Sequence, residues 1–295
     1  MASSTSLETI KVIPTGLGFG ADIVDFDIAN MTKLDANFIH KAWLENLVFR
    51  FRGQDFGDKE QVDFTRHFGE LEFSPRALLT GEEMVPGYPE VGVISNLKDE
   101  NGKPLGTLGN GECFWHTDMS YIEKPPTASL LHALEIPPYG GNTEFLSMYT
   151  ALETLPSHLL RLIEGRMVKH ENVTLSDGSL RVGMEDQIPK SDDVRDWKGP
   201  LHPIIRTHPE TKRKCLFLGR RVHAYIEGLS VKESEEILDE LWEHITQPKL
   251  VWTHEWEVGD LILWDNRCVM HRRDPFDAST RRIMHRTQLR GERPV

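Results

Sequence analysis

His116 and Asp118 stand two residues apart in GECFWHTDMSY (111–121), a run of aromatic and strand-forming residues. An imidazole and a carboxylate both offer lone pairs. On an extended strand, positions i and i+2 share a face, with their roots about 7 Å apart. Two such donors make two legs of a metal site. They also make an ordinary hydrogen-bonded pair at a strand end, and HTD by itself favours that plainer reading. Two histidines and one carboxylate hold iron(II) with neighbouring coordination positions left open. The third donor must then come from a distant strand. His271 is the best placed, ending the apolar run LILWDNRCVMH ahead of the turn-prone RRDPFD.

Beyond His271, RRIMHRTQL reads as a further strand. Alternation puts Arg282, Met284, Arg286 and Gln288 on one face, and Ile283, His285, Thr287 and Leu289 on the other. Two guanidinium groups on one face are costly to bury unless an anion meets them. The forked guanidinium suits a carboxylate. Alternation does not say which face is inward, so a pair of edge-strand surface charges is the competing reading. Cys113 and Cys268 each lie three residues before a candidate ligand. An odd offset turns them to the opposite face, as core or surface thiols rather than zinc ligands. His132, His223 and His285 read as structural. Phe114, Trp115 and Tyr121 read as core or pocket walls, with Tyr121 the better pocket residue because its hydroxyl wants a partner.

The elements that must position these groups are mostly short strands. TIKVIP and ADIVDFDI flank the turn GLGFG, which lacks the full dinucleotide-binding spacing. A helix is predicted over 35–46, a strand from Leu47, and a second helix from Asp58. Residues 72–110 read as loop-rich around VGVIS, a candidate active-site region. CFWHTDMS, ASLLHALEI and NTEFLSM read as strands, and Tyr149 to Ile163 as one helix. Residues 172–200 read as an exposed insertion. HPIIRTH and KCLFLG flank PETKR as a hairpin. Ser230 and Glu233 form a capping-box pattern for a helix with the stripe Ile237, Leu238, Leu241, Trp242 and Ile245, stopped by Pro248. VWTHEW and DLILWDN follow as strands. The expected class is mainly β with flanking helices, a sandwich or barrel.

Composition bounds the function. With 295 residues and a net charge of −12, the chain lacks the basic surplus that nucleic-acid binding needs. Small anions need only a local arginine or two. Three cysteines argue against a disulfide framework, making a reducing cytoplasm the default. MASSTSLETIKV has no apolar core of a secretion signal, and no run approaches the roughly 20 apolar residues that span a bilayer, so no membrane role is expected.

HTD, GGNT at 140–143, WDNRCVMH and RRIMHR together resemble the taurine dioxygenase and phenoxyacetate-herbicide dioxygenase family, roughly from Ile13 to Arg293. Those enzymes are iron(II)- and 2-oxoglutarate-dependent oxygenases on a double-stranded β-helix (jelly roll). The resemblance implies one such domain over 1–295. His116, Asp118 and His271 would be the iron ligands and catalytic centre. Arg282 would hold the far carboxylate of 2-oxoglutarate with help from the Thr143 hydroxyl. Arg286 would face the substrate, with Tyr121 and Glu112 beside it. O2 would be the second cosubstrate, and succinate and CO2 would be released. The substrate implied is a small carboxylate, sulfonate or sulfate ester, hydroxylated or cleaved at C–O or C–S. Around Glu112 and in loop 72–90 the chain departs from the taurine enzyme. Related halogenases have a small residue where Asp118 stands, so halogenation is disfavoured. Relatives are often homo-oligomers, an analogy only. Two rivals are a cupin-like metal-dependent hydrolase or isomerase with the same ligands, and a catalytically silent barrel that binds a ligand.

Overall fold

The computed structural model describes residues 10–108, 113–181 and 183–295, except for the side chains of Leu79 and Leu108. The architecture is mainly β. A large sheet runs, in spatial order, Lys11–Pro14, Ala21–Val24, Val48–Phe51, Leu261–Asp265, Ala128–Glu135, Ile283–Leu289, Gly92–Ser95 and Thr107–Leu108. Leu71–Glu72 also pairs with Ile283–Leu289. A small sheet has Thr143–Ser147 between Val251–His254 and Val269–Arg273. Leu201–Pro203, Met167–Lys169 and Tyr225–Ile226 form a third sheet, and Ile205–Thr207 pairs with Lys214–Leu216.

The apolar run 261–264 is continuous because its strand is covered on both faces, which removes the usual alternation. Leu261 and Leu263 join Leu130, Phe49 and Phe51 under Ile39, Trp43 and Phe64 of two helices, Lys33–Asn46 and Asp58–Arg66. Ile262 and Trp264 face the other way and pack with Leu131, Ile94 and Met284 against Phe145, Met270 and Trp252 of the small sheet. The turn 266–268 therefore carries the chain from one sheet to the other.

Local signals act as their chemistry requires. Thr32 and Asp35 make a reciprocal cap that starts the first helix at Lys33. Leu47, at φ 66°, turns its end into Val48–Phe51. Ser230 and Glu233 cap Val231–Ile245, whose Ile237, Leu238, Leu241 and Ile245 are buried while Trp242 is half-buried.

Several expectations are corrected. The helix expected from Tyr149 to Ile163 is two, Met148–Glu153 and Ser157–Ile163. Pro156 between them lacks an N–H and disfavours helical backbone at Leu155. HPIIRTH divides at Ile204 into strands of different sheets, although the hairpin around PETKR forms. Residues 72–108 include the helix Pro75–Thr80 and the strand Gly92–Ser95. In the polar stretch 172–200, Val173, Thr174 and Ser176 are buried. Among the described residues, no helix is long and apolar enough to cross a membrane.

Candidate metal centre

CFWHTDMS is not a strand. His116 and His271 exchange one pair of backbone hydrogen bonds, at 2.9 and 3.0 Å, and the pairing stops there. Thr117 N–H goes to Gly219 O at 3.0 Å, and Met119 adopts φ 48°, so the chain turns away at Asp118. The backbone groups of this segment are satisfied by other loops rather than by a ladder. Asn266 does most of this for Asp118. Its Oδ1 accepts from Asp118 N–H at 2.9 Å, and its Nδ2 donates to Asp118 O at 3.0 Å and Pro126 O at 2.9 Å.

His116, Asp118 and His271 nevertheless converge. Asp118 Oδ1 lies 3.7 Å from His116 Nε2 and 3.8 Å from His271 Nε2, and all three side chains are buried. The donor atoms of the three lie within 4.8 Å of one another. His116 Nδ1 is 2.8 Å from Phe114 O, an acceptor that calls for a proton on Nδ1 and leaves the Nε2 lone pair for a metal. Burial, with His116 alongside, pushes His271 down to about 3, so its ring is neutral and able to ligate. Burial works to raise the Asp118 carboxyl, but Arg286 and the two histidines outweigh it and hold it well below the usual carboxylate range. A neutral His271 ring, a His116 ring on which a metal can take the Nε2 position, and an ionised carboxylate make the donor set that a divalent iron requires.

The cavity beside these donors lies between the two sheets. Ile94, Leu131 and Trp264 line it from the large sheet, and Thr143 and Arg273 from the small one, with Arg282 just before Ile283–Leu289 and Arg286 on it. The alternation of that last strand is resolved here. His285 faces outward to Asp58, and Thr287 to Gln61 and Thr65 of the covering helix, which leaves the arginine face inward. Arg282 is 3% exposed, and among the described residues its Nε meets no hydrogen-bond partner. Burial, then the neighbouring Arg273, push its guanidinium down to about 9. Such a group is built for an anion that it does not find within the protein. Thr143 Oγ1 accepts from Trp256 Nε1 at 3.0 Å, which directs its own proton elsewhere. Arg286 reaches Asp118 Oδ1 at 3.4 Å.

Other expected residues fall differently. Tyr121 does not line this cavity. Arg181 donates to its hydroxyl at 3.0 Å, and the Arg181 and Arg220 guanidinium groups cover its ring at 3.9 and 4.7 Å. Phe114 is exposed rather than a wall, because its bend turns its carbonyl toward His116. Trp115 is buried, with the Arg272 guanidinium over its ring. Glu112 lies outside the described residues. His132 stacks on Phe56 and His223 on Trp197, as structural side chains. Cys268 turns away from the metal donors and, with His208 and Asp265, forms a second buried donor cluster. There Arg267 occupies Asp265 through both oxygens, and burial raises the Cys268 thiol well above its ordinary range, so this cluster is an ion-pair support rather than a metal site. Sequence reading gave no role to Asn266, Ser129 or Arg273. The alternation of 282–288 put Gln288 on the correct face without showing why.

A model of the taurine catabolism dioxygenase TauD, TfdA family matches residues 10–288. The chain is 34% identical over 277 residues to the alpha-ketoglutarate-dependent 2,4-dichlorophenoxyacetate dioxygenase of Cupriavidus pinatubonensis, covering 91% of this chain and 93% of that protein. It is 29% identical over 292 residues to the (S)-phenoxypropionate/alpha-ketoglutarate-dioxygenase of Sphingobium herbicidovorans, covering 95% of each. The crystal structure of AAD-2 in complex with Mn(II) and N-oxalylglycine aligns with a TM-score of 0.76 at 30% identity, over 97% of this chain and 99% of that one. The convergent donors, the buried arginines and a family match over nearly the whole chain agree. The chain belongs to the taurine catabolism dioxygenase TauD, TfdA family and is a non-haem iron dioxygenase that uses 2-oxoglutarate and O2.

Proposed function

We propose that this enzyme hydroxylates a small organic carboxylate, with a carboxylate held in place by Arg286 beside the iron. The observation that carries this reading is the charge of the cavity. Arg273, Arg282 and Arg286 line it, and Asp118 is the one carboxylate among its described lining residues. With iron(II) in place, the two charges of the metal and the Arg282 and Arg286 guanidinium groups exceed that one carboxylate by three, a surplus that a dicarboxylate cosubstrate and a singly charged anionic substrate together offset. The relatives named for phenoxypropionate and 2,4-dichlorophenoxyacetate support an aryloxy carboxylate as the substrate class.

In this reading His116, Asp118 and His271 hold iron(II). With 2-oxoglutarate and O2 bound, the iron supplies oxidative decarboxylation to succinate and CO2, coupled to hydroxylation of a C–H bond. The protein's part is positioning. Arg282 forks onto the far carboxylate of 2-oxoglutarate, and the Thr143 hydroxyl donates to it. Ile94, Leu131 and Trp264 exclude water around the donors. Arg286 sits between Asp118 and the substrate carboxylate, fixing which carbon faces the centre. Hydroxylation at a carbon that bears an ether oxygen gives a hemiacetal. Its collapse forms a carbonyl and releases the alcohol or phenol, so the outcome is C–O cleavage. The same reading takes the two facing sheets as halves of a double-stranded β-helix, the whole chain as one catalytic domain, and the cytoplasm as its compartment.

The test is anaerobic titration with iron(II) and then 2-oxoglutarate, following the visible charge-transfer band, and afterwards a panel of aryloxy carboxylates and their neutral amides. Carboxylates should perturb the band and couple 2-oxoglutarate consumption to product, and the amides should not. Arg286→Ala should weaken the carboxylate response while slow, uncoupled 2-oxoglutarate turnover survives. A neutral substrate that works best, indifferent to Arg286→Ala, would refute the proposal.

A further inference from the structure

The two oxygens of Asp118 are treated differently by the fold. Oδ1 faces the two imidazole nitrogens at 3.7 and 3.8 Å and takes one long contact from Arg286 Nη1 at 3.4 Å, whereas Oδ2 is held by shorter bonds. Oδ2 accepts from Ser129 Oγ at 2.7 Å and from Gln288 Nε2 at 3.1 Å. Gln288 Nε2 also donates to Ser129 Oγ at 2.9 Å, closing a three-membered ring of hydrogen bonds. Ser129 is fully buried and Gln288 nearly so, so water does not compete for these bonds. Ser129 and Gln288 are direct cross-strand partners on the adjacent strands Ala128–Glu135 and Ile283–Leu289. The arrangement is thus fixed by sheet register, and a one-residue slip of either strand would turn its side chain to the helix-covered face. Asn266 holds the Asp118 backbone through its N–H and C=O, which fixes the point from which the carboxylate hangs.

The geometry points to Ser129 and Gln288 as positioning residues that reserve Oδ2 and leave Oδ1 alone for the metal, which makes Asp118 a one-oxygen ligand. This rests on the reading of the three donors as the iron site. Its consequence lies in the cosubstrate. A carboxylate free to rotate can present both oxygens and take a second coordination position. 2-Oxoglutarate needs two positions for its keto and carboxylate oxygens, and O2 needs one more. With three protein donor atoms on a six-coordinate iron, a fourth from Asp118 would leave one too few. Holding Oδ2 in hydrogen bonds removes that competition. The partners of a ligating carboxylate typically change metal-site affinity by about 10- to 100-fold when lost.

The experiment uses the whole protein loaded anaerobically with iron(II) and titrated with 2-oxoglutarate. The wild type is compared with Ser129→Ala/Gln288→Met and, as a control, Arg282→Met. The double variant is expected to raise the 2-oxoglutarate dissociation constant about tenfold or more and to shift the charge-transfer band, because the iron's own ligand set has changed. Arg282→Met should weaken 2-oxoglutarate without moving the band. A folded double variant with a smaller change in affinity, or with an unmoved band, overturns the inference. If the double variant does not fold, Ser129→Ala alone, which deletes a single oxygen, decides on the same two readouts. Absence of iron binding or of the band in the wild type instead overturns the reading of the iron site, and this inference with it.

Discussion

Replacing Arg282 by methionine should make the protein more stable and worse at its task. The side chain is 3% exposed, and among the described residues its Nε meets no hydrogen-bond partner. Burial and the nearby Arg273 lower its pKa from 12.5 to about 9. At 1.36 kcal/mol per unit, that shift corresponds to about 5 kcal/mol by which the site disfavours the charged form before any ligand enters. Methionine fills a similar volume without the charge, and replacements of buried charge by apolar side chains often stabilise by about 1–4 kcal/mol. The backbone bond from Arg282 N–H to Asn96 Oδ1, 3.0 Å long, is retained. Against this, a bidentate charge-assisted pair with 2-oxoglutarate is worth about 3 kcal/mol or more. Its loss raises the dissociation constant by about 100-fold or more. The assay is urea denaturation of the metal-free protein, repeated with iron(II) and saturating 2-oxoglutarate under anaerobic conditions. Without ligands, Arg282→Met should have the higher midpoint at an unchanged slope. Iron(II) alone should stabilise both proteins alike, and adding 2-oxoglutarate should stabilise the wild type further and the variant little. A variant less stable than the wild type without ligand, with 2-oxoglutarate affinity intact, would show that Arg282 is satisfied internally and is not an anion site.

Asn266→Ala removes the partners of Asp118 N–H, Asp118 O and Pro126 O in a buried spot, and unmet groups cost about 1–3 kcal/mol each. Chemical denaturation should show a loss of about 3–5 kcal/mol, and Mn(II) titration a weaker metal site; a loss below about 1 kcal/mol would sink the clamp. Gly219 has φ 68°, and a Cβ there would lie 1.9 Å from His170 Nδ1. Gly219→Ala should therefore cost more than about 3 kcal/mol and disturb the Thr117 bond between the ligands, while Gly16→Ala, with open space around it, should cost about 1 kcal/mol. Equal losses in the two variants would contradict the packing argument. Burial, then His285, lower His132 from 6.5 to about 4. Below 6.5 the unfolded chain takes up a proton that the folded one refuses, so this contribution is present above 6.5 and is lost as pH falls toward 4. Between pH 7 and 5 the loss is about 2 kcal/mol. His132→Phe should flatten the stability profile by that amount, and an unchanged profile would count against it.

The chemistry of the site was legible in the chain because it depends on residue type and on strand period. HTD, a distal histidine, and arginines at 282 and 286 are local facts, and alternation put Met284 and Gln288 with those arginines. The capping box at Ser230 and the stripe below it are likewise one-dimensional. The reason HTD works, however, was misread: it is a turn held by Gly219 and Asn266, not a strand, and those partners lie about 100 and 150 residues downstream. The inward face of 282–288 could not be read because both faces carry polar residues; the helix Asp58–Arg66 decides it by covering His285 and Thr287. Tyr121 was assigned to the pocket for a hydroxyl that Arg181 takes instead. Ser129, Asn266 and Gln288 are common polar residues with no motif to mark them. Their roles exist only once sheet register sets Ser129 beside Gln288 and the sheet-crossing turn brings Asn266 to Asp118. Residue type determines what a side chain can donate or accept, and which partner it meets is decided by long-range packing.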